Sequence, residues 1–230
     1  MYVSNDLSWR TQLHGNNKTG KEKITGLLTK LSQRVGMLKR LSKVIPTDRL
    51  KDISEGIFTS KLIYCLQLFG NVWGLPTLDE NNRRFSAFTK EDNRKLQSLQ
   101  NQVMRIKSGL PRDTPLTQLL KASNDLSVMQ LTAYLTLTTT HKTISTGQPG
   151  YLAGKLKLRT NEGGGAFPHR QLNTIEVPQV NLTLSRGGFV FRAATLWNML
   201  PSHMRAGMKT TSFKTALHSW IRANIRPKPP

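Results

Sequence analysis

The sequence predicts a mainly α fold, and three observations carry that expectation. Apolar residues recur at helical spacing through most of residues 20–147. Pro46, Gly70, Gly109 and Gly147 punctuate the run where helices should stop. Ser127 and Gln130, placed just ahead of an apolar run, match the capping-box pattern of a helix start. The predicted architecture is a helical bundle over 20–147, a long irregular Gly/Pro-rich arm over 148–188, a small C-terminal helical unit over 189–226 and a tail at 227–230. With 230 residues, 37% of them hydrophobic, the chain can build a substantial core.

Residues 1–19 end in LHGNNKTG, a loop by its Gly and Asn content. From Lys21 the pattern turns helical: Ile24, Leu27, Leu28, Leu31, Val35, Leu38 and Leu41 share one face, and Pro46 stops it. Thr47 is the expected cap of a second helix, with Asp48 near its positive end. Leu50, Ile53, Ile57, Leu62, Leu66 and Phe69 follow, and LIYCLQLF, apolar nearly all round, is the expected most buried stretch. Residues 70–88 form a connection. Thr89 and Asp92 resemble a capping box ahead of Leu96, Leu99, Val103 and Ile106, a helix closed by Gly109. Pro115 opens a short helix, PLTQLLKA. The Ser127–Gln130 box and Gly147 bracket one more helix although YLTLTTTHKTIST is rich in β-branched residues. After the arm, Thr211 or Ser212 should cap a helix carrying Phe213, Leu217, Trp220 and Ile221.

Charge sets the function class. Lys and Arg number 34 against 13 Asp and Glu, a net charge of +21. Such an excess repels itself and answers a polyanion, nucleic acid first and an anionic membrane surface second. The single cysteine, Cys65, sits in apolar surroundings, so no disulfide framework or Cys/His knuckle is expected. That composition, with no apolar signal region and no long apolar run, places the chain in the nucleus or cytoplasm, neither secreted nor in a membrane. The carboxylates fall mostly at helix starts and in connections, and the histidines lack ligand spacing. NEGGGAF lacks the Lys-Ser/Thr of a phosphate loop. Hence no catalytic residue, metal, cofactor or small-molecule substrate is expected.

The expected interface is the basic outer side of the first helix, which carries Lys30, Arg34, Lys39, Arg40 and Lys43 and can lie along a phosphate backbone. Continuity of that face with Arg105 and Lys107 would favour binding over a module that packs on another protein. Further along, FRAATLWNMLP puts Phe191, Ala194, Trp197 and Leu200 on one side and Arg192 on the other. Trp197 is expected to plug a groove between helices rather than stack on a base, with Trp220 as a second anchor. Arg186, Arg192, Arg205 and Lys209 surround it as candidate phosphate contacts.

Taken in order, NDLSWRTQL, LSQRVGMLKRLSKVIPTDRL, GIFTSKLIYCLQLFGNVWG, LQSLQNQVMRIKSG and SFKTALHSWI resemble the carboxy-terminal part of reverse transcriptases of non-long-terminal-repeat, LINE-like retrotransposons, over roughly residues 4–225. The resemblance implies that 1–19 is a remnant of the palm–thumb junction and 20–147 a thumb-like bundle. Lys30, Arg34, Lys39, Arg40 and Lys43 would then touch phosphates of a template–primer, an RNA/DNA hybrid or RNA. The Asp-Asp pair of the polymerase palm is absent from this chain, so only the grip carries over, with a catalytic palm as a partner in trans.

Overall fold

The computed structural model describes residues 13–16, 24–69, 90–159, 173–179 and 188–225. The fold is mainly helical. The described residues fall into two compact units, 13–16, 24–69 and 90–131 in the first, and 132–159, 173–179 and 188–225 in the second. The division lies inside a helix, between Leu131 and Thr132, rather than at 147.

In the first unit, β1 (Gly15–Asn16) pairs antiparallel with β2 (Ile24–Thr25), so Ile24, expected in a helix, is in a strand. A close backbone crossing causes this: a Cβ on Gly26 would lie 2.3 Å from the His14 carbonyl carbon. Helix α1 (Leu27–Leu41) therefore starts after that crossing and buries Leu27, Leu31, Val35 and Leu38. Pro46, not Thr47, occupies the cap of the next helix, and no side chain bonds there. Asp48 is in its first turn as the sequence implied, where it complements the positive helix end.

That next run combines α2 (Thr47–Ser54), a π turn (Glu55–Thr59) and α3 (Ser60–Phe69). Its buried residues are Leu50, Ser54, Phe58, Leu62 and Leu66, one every fourth position. A plain α-helix advances about 100° per residue, so a strict spacing of four drifts by roughly 40° per step. The wider π turn takes up part of that drift and keeps the stripe on one side. Ile53 and Ile57, expected in the core, are half-buried instead.

Helix α4 (Lys90–Ser108) is the spine of the first unit, because α1, α2 and the short α5 (Leu116–Ser123) all pack on it. Met104 joins Leu116, Leu119 and Leu120 in one apolar cluster. Asp92 is buried and bonds His14 Nε2 at 2.8 Å; its expected box partner Thr89 lies outside the described residues, as do 70–88. A buried amide network sits beneath. Gln97 donates to Gln100 Oε1 and Asn101 Oδ1, and its own Oε1 accepts from the Val128 N–H.

Helix α6 (Val128–Thr146) starts as the sequence implied: Ser127 N–H bonds Gln130 Oε1 at 3.0 Å, and Gln130 N–H bonds Ser127 Oγ at 3.3 Å. Its β-branched residues are accommodated in part because Thr136 and Thr140 return their hydroxyls to the carbonyls four residues back, whereas the buried Thr138 hydroxyl has no partner. Gly147, at φ +66, ends it in the left-handed region that glycine enters without strain.

The second unit contains the rest of α6, α7 (Gly150–Ala153), α8 (Phe189–Met199), α9 (Ser202–Arg205) and α10 (Thr210–Asn224). Lys209 occupies the cap of α10, so neither Thr211 nor Ser212 does. The described part of the arm is not irregular throughout. Leu158 bridges Ile175 in antiparallel fashion, and Leu152, Leu156 and Ile175 are buried. Asn198 holds this segment from α8, accepting from Ile175 N–H at 2.8 Å and donating to Ile175 O at 2.9 Å.

Candidate nucleic-acid interface

Trp197 is 2% exposed, and its indole N–H donates to the Asn173 carbonyl at 2.8 Å. His141 stacks on Phe213 with ring centroids 4.1 Å apart, and both lie beside Trp197. Trp197 therefore plugs the second unit and has no open face for a base. Trp220, expected as a second anchor, is half-buried; Phe213, Leu217 and Ile221 fill the buried side of α10. His141 Nε2 bonds the Met208 carbonyl, and desolvation lowers its pKa despite that bond.

The expected cations separate by environment. Lys30, Arg40 and Lys43 are exposed and make no ion pair with a described acid. Lys39 is exposed and donates to Gln102 Oε1 at 3.2 Å. Nine residues separate Lys30 from Lys39, so they stand roughly 180° apart around α1. Arg34 is turned inward and donates to the Ile57 carbonyl in the π turn. Arg105 is half-buried, its guanidinium at 3.4 Å from the Thr114 carbonyl. Lys107 is buried and neutralised, 2.7 Å from Asp125 Oδ2 and 3.8 Å from Glu55 Oε1. The continuous face from α1 through Arg105 and Lys107 therefore does not form. Charge at 105 and 107 serves the interior because the neighbouring carbonyl and carboxylates lie within reach only once the chain is folded.

Two further expectations change in the second unit. Arg192 is buried, not outward, because Ala193 and Leu196 are buried as well and α8 is enclosed on more than one side. Burial pulls its pKa down to about 10, which leaves it charged at neutral pH. Arg205 is half-buried, its Nε donates to the Leu200 carbonyl, and desolvation lowers its pKa. Lys209 is exposed. Arg186 lies outside the described residues.

A basic groove of about 730 Å³ in the second unit was not foreseen. Lys155, Lys157 and Arg159 line one part of it; Val177, Pro178, Phe189 and Phe191 supply apolar wall, and Glu176 adds one carboxylate. Backbone pairing fixes the geometry: Arg159 N–H bonds Thr174 O at 2.8 Å and Glu176 N–H bonds Lys157 O at 2.9 Å. Around Leu158 the chain is extended, so Lys157 and Arg159 project to the same side. The first turn of α8 also lines the groove, with no acid and no side-chain cap. Its uncapped N–H groups add the positive end of a helix dipole. The alternation in KLKLR was the available sign.

Among the described residues, no three His, Cys, Asp or Glu side chains gather as metal ligands would. No described helix is long and apolar enough to cross a membrane. No family model matches the chain, and no curated protein or solved structure matches it.

Proposed function

We propose that the chain is a non-catalytic nucleic-acid-binding protein that grips phosphate backbone without reading sequence. The observation that carries this reading is the set of exposed cations without an ion-paired acid among the described residues: Lys30 and Arg40 on α1, Lys43 in the turn just past its end, and Lys155 and Lys157 in the second unit. In a chain of net charge +21, these side chains release condensed counterions when they meet phosphates. The resemblance to a reverse transcriptase thumb supports the same reading and suggests RNA or an RNA/DNA hybrid as ligand and a catalytic palm as partner. The competing reading is a module that packs on another protein, favoured by the exposed Val44 and Tyr64, at 84% and 60%.

Affinity for a short RNA/DNA hybrid, measured by anisotropy at two salt concentrations, tests the proposal. Replacing Lys30, Arg40 and Lys43 together by Ala should weaken every duplex sequence alike and reduce the log–log salt slope by about 3. Because all three are exposed, the variant should keep its helical circular dichroism. No measurable binding, or binding independent of salt, would overturn the grip and leave the protein-packing module as the better reading.

A further inference from the structure

We infer that the groove beside the first turn of α8 is a single-strand site, in which Lys155, Lys157 and Arg159 hold phosphates and Phe189 and Phe191 receive bases. The inference rests on the nucleic-acid reading above and goes further, by assigning a second site and a strandedness. Lys157 and Arg159 stand two residues apart on extended backbone, about 6.6 Å along the chain. That step is comparable to the advance between phosphates of a stretched single strand. Lys155 extends the row from the turn that follows α7. Among the described residues lining the groove, Lys155 and Lys157 alone outnumber the one carboxylate, Glu176, and the uncapped start of α8 adds to that positive excess.

The apolar side of the groove decides between one strand and two. Phe189 and Phe191 are half-buried and line it, so each leaves ring surface accessible. A duplex hides its base faces in the stack and presents phosphates outside, so it would use the lysines and leave the rings idle. A single strand offers both charges and base faces, and every base has a face to stack. The Trp197 ring cannot serve here because it is sealed in the core.

The probes are a fluorescent oligouridylate of about 12 nucleotides, within the range one such site covers, and a 12-base-pair duplex as competitor. Changing Lys155, Lys157 and Arg159 together to Ala should cut single-strand affinity about tenfold and reduce its log–log salt slope by about 2. The pair Phe189→Leu and Phe191→Leu keeps apolar bulk while removing the rings; single-strand affinity should drop about tenfold with the salt slope unchanged. Glu176→Gln should raise affinity several-fold, a gain that loss of folding cannot imitate. Wild-type binding with all three variants unaffected overturns the groove while leaving the general grip intact. Absence of any salt-dependent binding by the wild-type chain overturns both. Equal displacement by the duplex overturns the single-strand assignment alone. Transfer of the groove's effect to anionic phospholipid vesicles, with no binding of oligouridylate, overturns it in favour of a membrane surface.

Discussion

The two units use charge differently. The first contains Asp48, Asp52, Glu55, Glu91, Asp92, Asp113 and Asp125 among its described residues, and it turns several cations inward. Lys107 is held between Asp125 and Glu55 and Arg34 satisfies a carbonyl in the π turn, whereas Lys95 and Arg94 pair with Glu91 at the surface. In the second unit Glu176 is the one described acid. There the interior is organised by rings and amides: Trp197, Phe213, His141 and the Asn198 clamp. A basic composition therefore says little about which cations are available to a ligand. In the first unit Arg34 and Lys107 serve the interior, as Arg192 does in the second, where the packing leaves the groove lysines at the surface.

The largest expected effect tests the aromatic half of that contrast. Trp197→Ala should destabilise the second unit by about 3–5 kcal/mol, the range for emptying a buried aromatic site. Hydrogen exchange should report it in α8 and α10, with protection in α1 and α4 retained. Equal loss of protection in α1 and α4 would show that the units do not separate energetically.

The charge half is tested next. Lys107→Ala leaves the Asp125 carboxylate without its partner and should cost the first unit about 3 kcal/mol, read from denaturant unfolding followed by exchange in α4. A cost under about 1 kcal/mol would class the pair with solvent-screened surface bridges and weaken the contrast.

The smallest expected effect is on pH. The pKa of His141 is lowered in the fold, chiefly by desolvation, so below its ordinary value of 6.5 the unfolded chain binds the proton more readily than the folded one. Its contribution to stability is therefore full above pH 6.5 and falls as the pH drops from there toward the folded pKa. Melting of wild type and His141→Gln between pH 7.5 and 5 should show a steeper acid loss in the wild type. Parallel curves would remove His141 from the account of the second unit.

What was legible in the sequence was local. Ser127 and Gln130 are close enough in the chain to cap each other whatever else folds, and Gly147 and Gly109 end helices by backbone freedom alone. The periodicity of Leu27, Leu31, Val35 and Leu38 named the buried side of α1 without knowledge of its partner. Distant pairings were not legible. The fate of Arg34 depends on a carbonyl at Ile57, and that of Lys107 on Asp125. The groove needs Leu158 to find Ile175 across a Gly-rich stretch with no turn signature tying the two together. A spacing of three names one buried side of α8 and leaves Arg192 outside it, whereas Ala193 and Leu196 bury another.

The π turn at Glu55–Thr59 also bears on how the chain tolerates changes in length. It carries surplus backbone, so removing one residue there would let the segment relax to ordinary pitch while Leu62 and Leu66 kept their orientation toward the interior. The same loss within α3 would swivel whatever follows by about 100° and bring polar atoms against the packed side. Shortening by a single codon is thus best borne between Glu55 and Thr59, and Arg34 is the side chain that would then have to find a new acceptor.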